Sequence, residues 1–128
     1  MITIVPVRAL VALLYMVGVL GLSALPGRQI AKLGLTAYLI DLSHIPLFAG
    51  LTLVTLWAVV GPRAWRVGLV AAAILAFATV DEALQRWVPG RVASLADLGR
   101  DVAGIALGIA VSEALRPIAL AWRRESQQ

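Results

Sequence analysis

No charged side chain interrupts the chain between Arg8 and Arg28, and the interval is almost wholly apolar. A helix rises 1.5 Å per residue, so about 20 such residues cross the hydrocarbon layer of a bilayer. The run from Ala9 to Leu25, closed by Pro26-Gly27, therefore reads as a membrane span. A cleaved secretory signal is the competing reading, with Gly21-Leu22-Ser23 as its cleavage site. The run is long for a signal core, Gly21-Leu22-Ser23 is a poor cleavage site, and one arginine is little charge for the segment before it. Composition extends the argument to the whole chain. Hydrophobic residues fill 61% of 128 positions and charged residues only 14%. A soluble domain of this size needs far more polar surface. The expected fold class is all-α: an integral membrane protein built as a four-transmembrane-helix bundle, a single domain over residues 1–128.

The other spans follow from the same logic. The second runs from near His44 to Val60 and ends at Gly61-Pro62; the third covers Ala64 to Gln85. The fourth covers Ser94 to Ala121 and is followed by the tail Arg123-Arg124-Glu125-Ser126-Gln127-Gln128, a solvated anchor. The expected spans are thus 9–25, 44–60, 64–85 and 94–121. Trp57, Trp65, Trp87 and Trp122 all fall at span ends, where indole prefers the headgroup region. The charge-free cores of the third and fourth spans are short, so their polar ends must lie inside the bundle or snorkel. The net charge of +4 comes from arginines that flank apolar runs, as topology determinants do, which argues against nucleic acid as a partner. The absence of cysteine excludes disulfides, Cys-ligated metals and a thiol nucleophile, and no cofactor is expected.

Four spans place the amino terminus, the Gly61–Arg66 loop and the tail on one side of the membrane. Arg8, Arg63, Arg66, Arg116, Arg123 and Arg124 lie there; Arg28, Lys32, Arg86, Arg91 and Arg100 lie on the other. Pairing of Arg91 and Arg100 with nearby acids tips the balance toward both termini in the cytoplasm.

The segment DEALQRWVPGRVASLADLGRD, Asp81 to Asp101, packs four acids, three arginines, a glutamine and a serine between two apolar segments. Charge at the edge of lipid is costly, so a dense cluster there signals a purpose. The span order puts Asp41 and His44 on the same face as Asp81, Glu82, Gln85, Arg91, Ser94, Asp97 and Asp101. The opposite face offers nothing comparable. Asp81 and Gln85 share a helix face, and Asp97, Asp101, Gly104 and Gly108 form one stripe. Two acids four residues apart repel, so Arg91, Arg100 or a bound cation is expected between them. The Gly104-x-x-x-Gly108 pair on that stripe fits close packing within the bundle better than homodimerisation.

Asp41-Leu-Ser-His44, Phe48, Asp81-Glu82-x-x-Gln85, Pro89-Gly90-Arg91, Ser94, Asp97, Gly104 and Gly108 resemble the pattern of the VanZ-like membrane proteins. The resemblance covers most of the chain from Asp41 to Gly108. Phe48 stands where a tyrosine is common in that family, and Asp101 where an asparagine is frequent. The resemblance implies a small bacterial inner-membrane protein. The founding member of the family is associated with low-level resistance to the glycopeptide teicoplanin.

Several of these residues also have purely structural readings. Ser94-Leu-Ala-Asp97 fits a capping box at a helix start, and Pro89-Gly90 suits the centre of a type II turn. His44 fits an early helical position hydrogen-bonded to Asp41, with Pro46 in the first turn where no N–H is needed. Asp81, Glu82 and Arg91 fit an interhelical clamp.

Three functional classes follow. The first is a site at the outer membrane face for an anionic, lipid-linked envelope intermediate, with membrane lipid as the general partner. His44 and Glu82 form its acid/base pair, with Asp41 and Asp81 in the same catalytic group. Arg91 holds phosphate or carboxylate, and Gln85, Ser94, Asp97 and Asp101 complete the binding group. A divalent metal on Asp81, Glu82 and His44 is a variant of this class. The second is a non-catalytic envelope protein whose polar cluster fixes the bundle or docks a partner. The third, a small four-span exporter, needs an ionisable residue in mid-span, and the first span has none.

Overall fold

The structure, a computed structural model, describes residues 1–32, 34 and 36–125. It is mostly helical: α1 (Pro6–Ser23), α2 (Gly27–Lys32), α3 (Ala37–Ala58), α4 (Arg63–Gln85) and α5 (Leu95–Glu125). Two short strands, β1 (Thr3–Ile4) and β2 (Val59–Val60), pair antiparallel, and Val5 N–H donates to Ala58 O at 3.0 Å. Of the polar tail, residues 126–128 lie outside the described residues, as do the side chains of Trp122, Arg123, Arg124 and Glu125.

Local chemistry sets the helix ends. Pro6 opens α1, where a missing N–H costs nothing. Thr36 caps α3, its hydroxyl accepting from Leu39 N–H at 3.3 Å. Gly61 and Pro62 separate β2 from α4. Between α4 and α5 the chain turns at Val88–Arg91: Arg91 N–H donates to Val88 O at 3.1 Å, and Gly90 takes φ +77°. That is the type II turn expected from Pro89-Gly90.

One helix departs from expectation. The second long helix starts at Ala37, not near His44, so Asp41 and His44 lie inside it and Pro46 is an internal proline. Pro46 has no N–H for Leu42 O, which bends or weakens the helix at that turn. The charges at Arg28, Lys32 and Asp41 suggest a loop in sequence. Asp41 is tolerated within the helix because it is exposed and paired with Arg100.

α1, α3, α4 and α5 all feed one hydrophobic core, through Val19, Phe48, Leu51, Ile74, Ala78 and Ile105 among others. α3 packs most extensively on α5 and next on α1. The α3–α5 approach is made by the glycine stripe. A Cβ on Gly104 would lie 2.6 Å from Ile45 O, and one on Gly108 would lie 2.7 Å from Ala49 O. Only glycine allows the two backbones this close, so the stripe works inside the chain.

The outside is apolar as well. Leu10, Leu13, Leu14 and Val17 of α1, Leu69 of α4 and Val102 of α5 are exposed. Contiguous apolar surface on this scale marks contact with lipid or a partner. Among the described residues, Pro6–Ser23, Tyr38–Ala58 and Arg63–Gln85 are long and apolar enough to cross a membrane.

Candidate functional site

The carboxyl ends of α1 and α4 meet the amino-terminal halves of α3 and α5, and the polar side chains gather there. At 1.5 Å per residue, His44 and Asp101 lie about 9–11 Å along their helices from the first residue. They meet in the interior: His44 Nδ1 and Asp101 Oδ1 are 2.8 Å apart, and both residues are buried. His44 also stacks on Phe48, with ring centroids 6.5 Å apart and planes 5° from parallel. A carboxylate on Nδ1 keeps the proton on that nitrogen, leaving Nε2 as the acceptor. His44 is therefore partnered neither by Asp41 nor by Glu82, as expected from sequence, but by an acid on α5.

Glu82 does something else. Its Oε1 accepts the backbone N–H of Ser94, the residue before α5. Ser94 Oγ in turn accepts Ala96 N–H at 3.1 Å. The capping box expected from Ser94 and Asp97 is thus half present: the serine caps, but the reciprocal acid comes from α4. Asp97 is withdrawn from that role by its ion pair with Arg100. Arg100 also reaches Asp41 Oδ2 at 3.6 Å. The repulsion expected between Asp97 and Asp101 is relieved by separate partners, Arg100 for one and His44 for the other.

Asp81 Oδ2 accepts a hydrogen bond from Ser23 Oγ of α1 at 2.7 Å. Ser23 was not expected at the site; the only signal was a hydroxyl closing an otherwise apolar run. Asp81 Oδ1, Glu82 Oε2 and Gln85 Nε2 are buried and have no hydrogen-bond partner. The expected Asp81–Glu82–Arg91 clamp does not form, and of the two arginines whose pairing weighed on the orientation only Arg100 is paired, because Arg91 makes no ion pair among the described residues. The metal variant fails too: among the described residues no group of three His, Cys, Asp or Glu side chains is placed to hold an ion.

Beside this network lies a cleft of about 390 Å³ between α1, α2 and α3. Leu22, Leu25, Ile30, Leu39 and Leu47 line it, with His44 and Arg91 as its charged or titratable members. Among the described residues, none accepts a hydrogen bond from the buried Arg91 Nε. An unpaired buried donor is costly, so it marks a place for an acceptor. A second cavity of about 290 Å³ adjoins, bordered by Gly27, Ala31, Asp41, Gly90 and Arg91. The turn holding Arg91 is fixed by α2, since Gly27 N–H donates to Pro89 O at 3.2 Å.

The opposite end, which offers nothing comparable in sequence, carries a smaller ion-pair cluster. Glu113 of α5 pairs with Arg63 at 2.7 Å, Arg116 at 3.8 Å and Arg66 at 4.0 Å. Arg63 and Arg116 are well exposed while Glu113 and Arg66 are partly buried, so this cluster is a partly solvated clamp.

Comparison of the chain with family models, with curated proteins and with solved structures found no match. The VanZ-like resemblance therefore rests on the motif residues alone.

Proposed function

We propose that the chain is a four-span, VanZ-like protein of a bacterial inner membrane, with both termini cytoplasmic. We further propose that its polar site receives the anionic group of a cell-envelope amphiphile. The observation that carries this is the cleft itself: an apolar groove that ends on His44 and on an arginine with no acidic partner among the described residues. The fourth span would be α5, supported by its length and by its close packing on α3. Arg91 would hold phosphate or carboxylate by paired N–H donors. His44, oriented by Asp101, would act as the acid/base group toward whatever Arg91 positions. Asp41 and Asp97 hold Arg100, and Asp81 and Gln85 border a separate small cleft between α1 and α4.

A second reading has its own support. Glu82 caps α5, and Asp81 ties α1 to α4, so these two acids serve the scaffold. In a purely structural protein, the whole network would do only that. Complementation of a deletion strain separates the two. His44→Ala, Asp101→Asn and Arg91→Gln variants should reach normal membrane levels and fail to complement. Full complementation by all three would leave only the structural reading.

A further inference from the structure

The cleft and the outer cavity share three lining residues: Ile30, Ile40 and Arg91. Arg91 thus stands where an apolar chamber passes into a more polar one. The rim residues Leu22 of α1 and Leu39 of α3 are exposed, so the cleft opens sideways between these helices. At roughly 30 Å³ for a group the size of a water molecule, 390 Å³ holds about a dozen non-hydrogen atoms. That is room for one hydrocarbon chain of about a dozen carbons inside the cleft. α2 roofs the junction: Ile30 is buried in the cleft wall, while Arg28 and Lys32 on the same short helix are exposed. Asp41 borders the outer cavity; Arg100 lies 3.6 Å from it but is shared with Asp97, so it offsets only part of that charge.

We infer that the occupant is a single-chain phosphate amphiphile, its chain in the cleft and its phosphate on Arg91 in the outer cavity, a ligand class that presupposes the polar-site reading above. A dianionic headgroup suits this place better than a carboxylate. It meets one partly buried guanidinium, and two further cations, Arg28 and Lys32, lie on the short helix that borders the cavity. The chain supplies affinity by leaving the aqueous or interfacial phase, and the arginine supplies selection among lipids of equal chain length.

Photo-crosslinking tests this in the full chain, reconstituted in phosphatidylcholine nanodiscs. The probe is dodecyl phosphate carrying a diazirine at the chain end. Labelling should map to peptides of α1 and α3 that line the cleft. Unlabelled dodecyl phosphate should compete at concentrations at least tenfold below dodecanol or dioleoyl phosphatidic acid, and inorganic phosphate should not compete. Arg91→Gln should lower labelling at least tenfold, and Arg91→Lys, which keeps the charge but not the paired donors, should fall between it and the wild type. Ile40→Trp, which fills the junction, should lower labelling with Arg91 intact. Equal competition by dodecanol would overturn the role of the phosphate, and equal competition by phosphatidic acid would overturn the single chain. If specific labelling is absent while His44→Ala and Arg91→Gln still abolish complementation, the ligand class falls and the polar-site reading stands. If labelling is absent and complementation is intact, both fall.

Discussion

Replacing Gly104 with alanine tests how the helix pair builds the site. The added Cβ would sit 2.6 Å from Ile45 O, 2.9 Å from Phe48 Cβ and 3.2 Å from Ala49 N. Two of these are backbone atoms of α3, so no rotamer change relieves the overlap. Bringing the closest approach to an ordinary 3.4 Å requires α3 and α5 to part by about 0.8 Å. Overpacking of this kind costs about 1–3 kcal/mol. The same movement acts on His44–Asp101, whose members lie one residue before Ile45 and three before Gly104. A 2.8 Å contact stretched by that amount leaves hydrogen-bonding range. Gly104→Ala should therefore destabilise the protein in detergent, read by thermal unfolding. It should also uncouple the pair: Asp101→Asn should cost less in the Gly104→Ala background than in the wild type, by about 1 kcal/mol or more in a double-mutant cycle. A stable Gly104→Ala protein with unchanged Asp101→Asn cost, and altered oligomer size, would refute the argument. The stripe would then face another copy of the chain.

Glu82→Ala removes the acceptor from Ser94 N–H and should destabilise by about 1–2 kcal/mol, with amide exchange at Ser94 accelerated; Glu82→Gln, which keeps an acceptor oxygen, should cost less. Ser23→Ala leaves both oxygens of buried Asp81 without a donor and should cost about 1–3 kcal/mol, partly recovered in the Ser23→Ala/Asp81→Asn double variant. Arg63→Ala breaks an exposed pair and should change stability by about 1 kcal/mol or less in unfolding assays. For topology, Lys32→Cys should react with an impermeant thiol reagent added outside intact cells and Arg63→Cys should not; the opposite pattern would reverse the proposed orientation. Both positions are exposed in the fold and cysteine is otherwise absent, so each label is unambiguous.

Much of the helical layout can be read from charge and hydropathy. Arg8, in the first turn of α1, and Arg28, beyond its end, bound its apolar run; Gly61-Pro62 precede α4, Gln85 ends it, and Ser94 marks the start of α5. The seven extra residues at the start of α3 were hidden because Arg28, Lys32 and Asp41 look like loop charges. Nothing local reveals that Arg100, far along the chain, pairs with Asp41. α2 and the β1–β2 pair are short and held by tertiary contacts, Gly27 to Pro89 and Val5 to Ala58, which hydropathy does not register. For the site, helical spacing grouped Asp97, Asp101, Gly104 and Gly108, and span order brought His44 to their side. Partner choice was the illegible part. His44 has acids nearby on α3, α4 and α5, and sequence favours the near neighbour Asp41 or the adjacent motif acid Glu82. The glycine contact settles it by bringing α5 against α3, so that Asp101 is the acid in reach. Ser23 was illegible for the same reason: its partner lies 58 residues away.

The central claim is that Arg91 and the cleft beside His44 hold an anionic amphiphile. Mass spectrometry of lipid retained by the protein, purified gently from its own membrane, tests it most directly. The wild type should carry an anionic lipid species in near-stoichiometric amount, Arg91→Lys less of the same species, and Arg91→Gln should lose it while keeping its neutral lipids. Identical lipid content in all three proteins would contradict the account.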